Sequence, residues 1–271
     1  MAGVGKEGEV AKLSELREAS LAAMVRGIEL GLAIKDDLVV HNGCIYVCNY
    51  NQADLNLLRA KEFEPLLPTL RKCVEALRAT SQQELRDDMQ LLKLVCAIVA
   101  AFAQGLEMHA TLPPNSPGEP RKHDAKSPPA VAALKEAEEA CKWAADLAAG
   151  RHRIKKAVTC CWARLQRYAS PKEPNLGTEP ESGALGLLEL LSSNLLDGGA
   201  ARAGALSRAK ELLIKDGVPR PEPELWVKVA QQALAMGGLT DVVQVRSSRG
   251  EERGRGAFVW GRWGGRQGMG R

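Results

Sequence analysis

His41, Cys44 and Cys48 stand at steps of three and four, so a helix would bring them to one face. Soft donors in that pattern are how a zinc ion is gripped from one side. A fourth ligand would have to come from another helix, and no paired Cys/His motif supplies one. The plain reading is three packed side chains. The seven cysteines (44, 48, 73, 96, 141, 160 and 161) fall mostly inside helical segments, with no CxxC. That usage fits buried thiols in a reducing cytosol. Gly3-Val4-Gly5-Lys6 superficially matches a phosphate loop, but it lacks the preceding strand, the GxxxxGK[ST] spacing and a hydroxyl after Lys6. Nucleophilic catalysis needs a Cys or Ser beside a positioned His. Of the four histidines (41, 109, 123 and 152), His123 lies in a Pro-rich stretch and His109 at a helix end. Glu136, Glu138 and Glu139 read as a solvated helix face. The expectation is a chain without catalytic, cofactor or metal residues.

The elements that would carry these residues are helices, organised around Asp37–Ala79. Its first half, DLVVHNGCIYVCNYN, is apolar almost all round from Val39 to Cys48, which predicts a helix covered on more than one side. Its second half carries Phe63, Leu66, Leu67, Leu70, Val74 and Leu77 as a stripe, with Arg71, Lys72, Glu75 and Arg78 opposite. Pro65 and Pro68 fall near that helix's start, where a missing N–H is tolerated. Two such helices form no core alone and need neighbouring pairs.

The rest of the chain supplies those neighbours. Residues 1–9 read as loose. Val10–Ile34 reads as a helix with Leu13, Leu16, Ala19/Ser20, Ala23 and Gly27 along one side, Gly27 and Gly31 permitting close approach. Ser81-Gln-Gln-Glu84 is a capping box. It opens a helix to about Met108 with Leu85, Met89, Leu92, Cys96, Val99 and Leu106 on its core face. The apolar run Leu94–Ala103 is too short to span a bilayer and reads as core. Six prolines in 111–129 mark a linker over 109–129. Helices follow at Ala130–Ala149 and Arg151–Ala169, the second with Ile154, Val158, Cys161, Leu165 and Tyr168 as its buried stripe. Further helices are expected at Gly183–Leu196, Ala200–Lys215 and Glu224–Met236. The division is therefore 10–108 and 130–245 as helical repeats, with 246–271 as a disordered tail.

The net charge of +4 conceals an uneven distribution. Seven arginines and two glutamates from Arg246 onward give the tail +5, leaving −1 for everything before it. The body offers no basic face to nucleic acid. Arg/Gly repeats with Phe258, Trp260 and Trp263 could contact RNA through charge and stacking, which makes RNA binding by the tail the alternative function. The helical pattern starts again at Leu239 and stops at Val245, which points to a truncated array with an unrelated tail. The N-terminal residues contain no apolar signal segment.

Trp226, Val229, Ala230 and Ala233, with Gly237 at the turn, approximate the W-x2-L-G-x2-Y spacing of a tetratricopeptide first helix. The fold class expected is all-α: stacked antiparallel helix pairs in a degenerate tetratricopeptide-like α-solenoid. The run VVHNGCIYVCNYNQADLNLLRAKEFEPLLPTLRKCVEAL, with NYN at 49–51, resembles segments of the cilia- and flagella-associated protein 46 family. Those are very long tetratricopeptide proteins of the ciliary central-pair apparatus. EEACKWAADLAAG and PELWVKVAQQALAMGGL are similar in style, so the resemblance covers 38–108 and 129–243. It implies a structural subunit of a microtubule-attached projection in the axoneme. Its partners would be other protein subunits, with microtubules contacted indirectly and no membrane. A generic cytosolic helical-repeat adaptor is the nearest plain alternative. For docking, Tyr46 and Tyr50 are the best candidates, one turn apart and each carrying a hydroxyl that a closed core would have to satisfy. Asn49 and Asn51 add polar contacts beside them; the plain alternative is that both tyrosines simply pack between helices.

Overall fold

The computed structural model describes residues 4–51, 66–111, 127–169, 175–176, 179–214 and 223–236. Ten helices lie in them and no strand. In chain order they are α1 (Val4–Ile34), α2 (Asp37–Tyr50), α3 (Leu67–Ala79), α4 (Gln82–Asp87), α5 (Met89–Thr111), α6 (Pro128–Leu147), α7 (His152–Ala169), α8 (Pro180–Ser192), α9 (Gly199–Ile214) and α10 (Pro223–Ala235). The all-α expectation is met. Phe63, Pro65, His123, Gly237, the run 239–245 and the Arg/Gly tail lie outside the described residues.

Helices adjacent in sequence are mostly adjacent in space, with α5 as the hub. One core passes without a break from Leu21 and Ile28 on α1, through Leu70 and Leu77 on α3 and Phe102 on α5, to Leu165 on α7. A second cluster joins α8, α9 and α10 through Leu188, Leu206 and Val229. α8 belongs to both, since Leu190 faces the first and Leu188 and Leu191 the second. Apart from Glu189 the run GALGLLELL is apolar, so this helix is the one covered on most sides.

α2 is covered on one side only, contrary to the expectation. Val40, His41, Cys44 and Val47 are buried, while Leu38, Tyr46 and Tyr50 face outward. Its main neighbour is α1 rather than α3. The α1–α2 turn explains this pairing. Lys35 takes a left-handed φ of 58°, Asp36 N donates to Gly31 O at 2.9 Å and Lys35 N to Leu32 O at 3.2 Å. That is the double closure which ends a helix and sends the chain straight back. Asp36 then caps α2, its carboxylate accepting from Val39 N at 3.1 Å.

α1 starts at Val4, inside the stretch expected to be loose, and its buried face is not the expected one. Leu21 and Ile28 are buried, whereas Leu13 and Leu16 are exposed. Gly31 does permit close approach: a Cβ there would sit 3.0 Å from Val39 and Val40. Gly27 meets nothing within 4 Å. The helix expected from Ser81 to Met108 is two helices. Ser81 Oγ accepts from Glu84 N at 3.4 Å, but Ser81 N donates to Asp37 of α2 at 2.9 Å, so Asp37 takes the part expected of Glu84. Asp88 then interrupts the helix and caps the next, accepting from Gln90 N at 2.7 Å and Leu91 N at 3.1 Å. Met89 is consequently exposed. By length and composition α5 could cross a bilayer, yet over half of that stretch is buried against protein. Tyr168, expected in α7's buried stripe, is exposed, and Trp162 and Ala163 are buried instead.

Candidate interaction surface

From Leu38 to Asn51 the sequence contains no Asp, Glu, Lys or Arg. Helix formation brings Leu38, Asn42, Tyr46 and Asn49 into one outward column, with Val39 and Tyr50 beside it. Tyr46 is 64% exposed and Tyr50 49%, and Asn42 and Asn49 are exposed as well. The result is an uncharged outer face of aromatic, aliphatic and amide groups. Cores of protein interfaces are likewise poor in charge and rich in Tyr.

Asn51, expected beside the tyrosines as a contact, belongs to the interior at 1% exposure. Its Nδ2 donates to Val47 O at 2.7 Å, closing the end of α2, and its Oδ1 accepts from Arg17 Nη2 at 3.3 Å. The amide thus ties α2 back to α1. A residue at a helix end with both amide functions engaged serves the fold. Leu38 and Asn42 were missed, although the absence of charge over 38–51 was a signal that could have found them.

The same helix carries the three candidate ligands, on its inner side. His41 is buried and its Nε2 lies 3.3 Å from Thr80 Oγ1. Thr80 Oγ1 also lies 3.0 Å from Leu77 O, so His41 is engaged within the fold. Cys44 is buried and Cys48 half-buried. Burial pushes the Cys48 thiol up to about 12 from 9.0, with Cys73 opposing ionisation further. Burial likewise raises Cys96 and Cys160 to about 12. These thiols are protonated packing groups at neutral pH. Among the described residues no group of three His, Cys, Asp or Glu side chains is placed to hold a metal ion. Of the catalytic candidates, Glu136 accepts both bonds from Arg71 (2.6 and 2.9 Å). His152 Nδ1 pairs with Glu181 at 2.7 Å.

One buried polar assembly joins three helices. Arg164 on α7 reaches Glu107 on α5 through Nε and Nη2, with contacts of 2.9 to 3.1 Å. Its Nη1 donates to Glu189 on α8 at 2.5 Å. Desolvation alone would lower the guanidinium's pKa, but the hydrogen bonds and nearby negative groups outweigh it and raise the value. Closer to the start of α7, buried Lys155 pairs with Glu179, which also accepts from Gly150 N at 2.9 Å and Ser182 Oγ at 3.2 Å. These groups are spent on holding helices together, whereas the outer face of α2 has no such duty. No protein-family model, curated protein or solved structure matches the chain.

Proposed function

We propose that this chain is a non-enzymatic scaffold built as a degenerate tetratricopeptide-like α-solenoid, docking a protein partner on the outer face of α2. The observation that carries this reading is the uncharged exposed column Leu38, Asn42, Tyr46 and Asn49, with Val39 and Tyr50 alongside. Folding alone does not require Tyr46 to stand two-thirds exposed. An apolar ring ending in a hydroxyl gains most by entering a partner's surface. The packing of α5 to α9 supports the repeat reading, because each of these helices chiefly touches its neighbours in the chain, while α10 rests more on α8 than on α9. The resemblance of 38–108 and 129–243 to the cilia- and flagella-associated protein 46 family gives the setting. In that setting the chain is a subunit of an axonemal central-pair projection, its partners are other subunits, and microtubules are reached through them.

The test is the double substitution Tyr46→Ser and Tyr50→Ser. Exposed side chains can be removed at a cost within about 0.5 kcal/mol, so the melting temperature should stay near that of the parent. Association with a tubulin-bound ciliary complex should be lost. Unchanged melting together with unchanged association would sink the docking role of α2.

A further inference from the structure

α1 has two apolar stripes, and only one is used by the fold. Leu21 and Ile28 face the core, with Met24 packed against it. Leu16, Ala19, Ala23, Gly27, Leu30 and Ile34 recur at steps of three and four on another side. Leu16, Leu30 and Ile34 are 64%, 54% and 66% exposed, Ala19 and Ala23 are exposed, and open space lies over Gly27. One flank of this stripe carries two opposite charges, Glu15 and Arg26, both exposed.

We infer that this stripe pairs antiparallel with α1 of a second copy, giving a two-fold symmetric dimer. Reversing a helix about a two-fold axis level with Leu21 brings the charged flank against its own copy. Glu15 then lies within one residue's rise, about 1.5 Å, of level with Arg26 of the second copy, and symmetry makes the pair twice. Opposite charges meet in this register on both occasions. The same register sets Ala19 level with Ala23 of the second copy and brings Leu16 to the open space at Gly27, and Leu13 to Leu30, each within one residue's rise of level. Leu16 and Gly27 are eleven residues apart, about 16 Å at the α-helical rise, so the seam is long enough for two large-into-small contacts flanking a centre of alanines. Small residues at that centre let the axes approach to about 8 Å, the near end of the usual range for packed helices. The surface is separate from the outer face of α2, so the dimer stands or falls independently of the docking role proposed above.

The full chain at tens of micromolar should sediment at twice its 29.2 kDa mass. Arg26→Glu places like charges together and should raise the dimer Kd about tenfold, equivalent to about 1.4 kcal/mol. Adding Glu15→Arg to that variant restores opposite charges across the seam and should recover most of the affinity. Gly27→Leu fills the space that Leu16 needs and should give a monomer. Nothing in the single chain meets a Cβ there, so unchanged far-ultraviolet circular dichroism will show that its fold is kept. A monomeric parent chain, a dimer indifferent to Arg26→Glu or Gly27→Leu, or a charge swap without rescue would each overturn the inference. So would a dimer abolished by Tyr46→Ser and Tyr50→Ser but not by changes on α1.

Discussion

The α1–α2 hairpin and the α5–α7–α8 junction hold helices together by opposite means. The hairpin buries Ile28, Val40, Cys44 and Val47, and the side-chain link described between its own two helices is Arg17 to Asn51. The junction buries Leu165, Leu188 and Leu190 and also threads Arg164 between two glutamates from different helices. An apolar contact is proportional to area and tolerant of angle, whereas an arginine gripping one carboxylate with two nitrogens fixes direction as well. The junction is therefore the part of the molecule with the most specified geometry. The hairpin keeps its uncharged faces outward, where a partner can use them.

The sharpest way to break this contrast is to remove Arg164. Its side chain is 15% exposed, Glu107's 9% and Glu189's 18%, so Arg164→Met leaves two carboxylates close together and largely out of water. Breaking a buried pair from one side typically costs about 3–5 kcal/mol. Urea unfolding should show a loss of that order. Adding Glu107→Gln and Glu189→Gln to the same chain should recover much of it, because the stranded charges are then gone. An Arg164→Met chain as stable as its parent would mean that the triad is solvated in solution. No substitution on the outer face of α2 should approach this effect.

Glycines sharpen the comparison at a smaller scale. A Cβ on Gly186 of α8 would lie 1.9 Å from Leu176 Cδ1 and 3.2 Å from Ala163 Cβ. Leu176 is buried, so Gly186→Ala forces it to repack and should destabilise by about 1–3 kcal/mol. On α1, Gly27→Ala meets nothing and should stabilise the monomer by up to about 1 kcal/mol through helix propensity. Thermal melts of both variants at low concentration should shift in opposite directions. Shifts of the same sign would remove the distinction between a glycine kept for packing and one kept beside open space.

What could be read in the sequence divides along the same line. The α3 stripe Leu66, Leu67, Leu70, Val74 and Leu77 is buried as its spacing says, because that helix has one apolar face and one charged face. In α1 the spacing is ambiguous. Two apolar stripes coexist, and periodicity reports that a face is apolar without saying which face meets the core. The stripe containing Leu16, Ala23 and Gly27 was therefore taken for the buried one. α2 misled in a related way, since lack of charge marks buried helices and uncharged surfaces alike. The junction could not be foreseen, because Arg164 finds partners 57 and 25 residues away and nothing local marks Glu107 or Glu189 as unlike other surface glutamates. The polar tips of Tyr46 and Tyr50 suit an exposed edge, but the same apolar run reads equally as tyrosines packed between helices, and it is the structure that turns them outward. Asn51 failed because a helix-ending asparagine is decided by the backbone groups within its reach.

The smallest expected effect lies at the start of α7 and appears only in acid. Burial by itself would raise the Glu179 carboxyl, but the ammonium of Lys155, the N–H of Gly150 and the hydroxyl of Ser182 bind its charged form and hold it below the ordinary 4.5. In the window beneath 4.5 the unfolded chain therefore binds a proton at this position that the folded chain resists. The contribution is complete above that value and disappears as pH falls through the folded-state value. Melting temperature followed from pH 6 down to pH 3 should fall more steeply for the parent than for Glu179→Gln, which has no carboxyl to protonate. Glu179 is about one-third exposed, so water screens part of the pair and the difference in slope should be modest. Parallel curves would mean that Lys155 is satisfied in solution by another group. Directional linkage at the start of α7 would then rest on His152 and Glu181 rather than on Lys155.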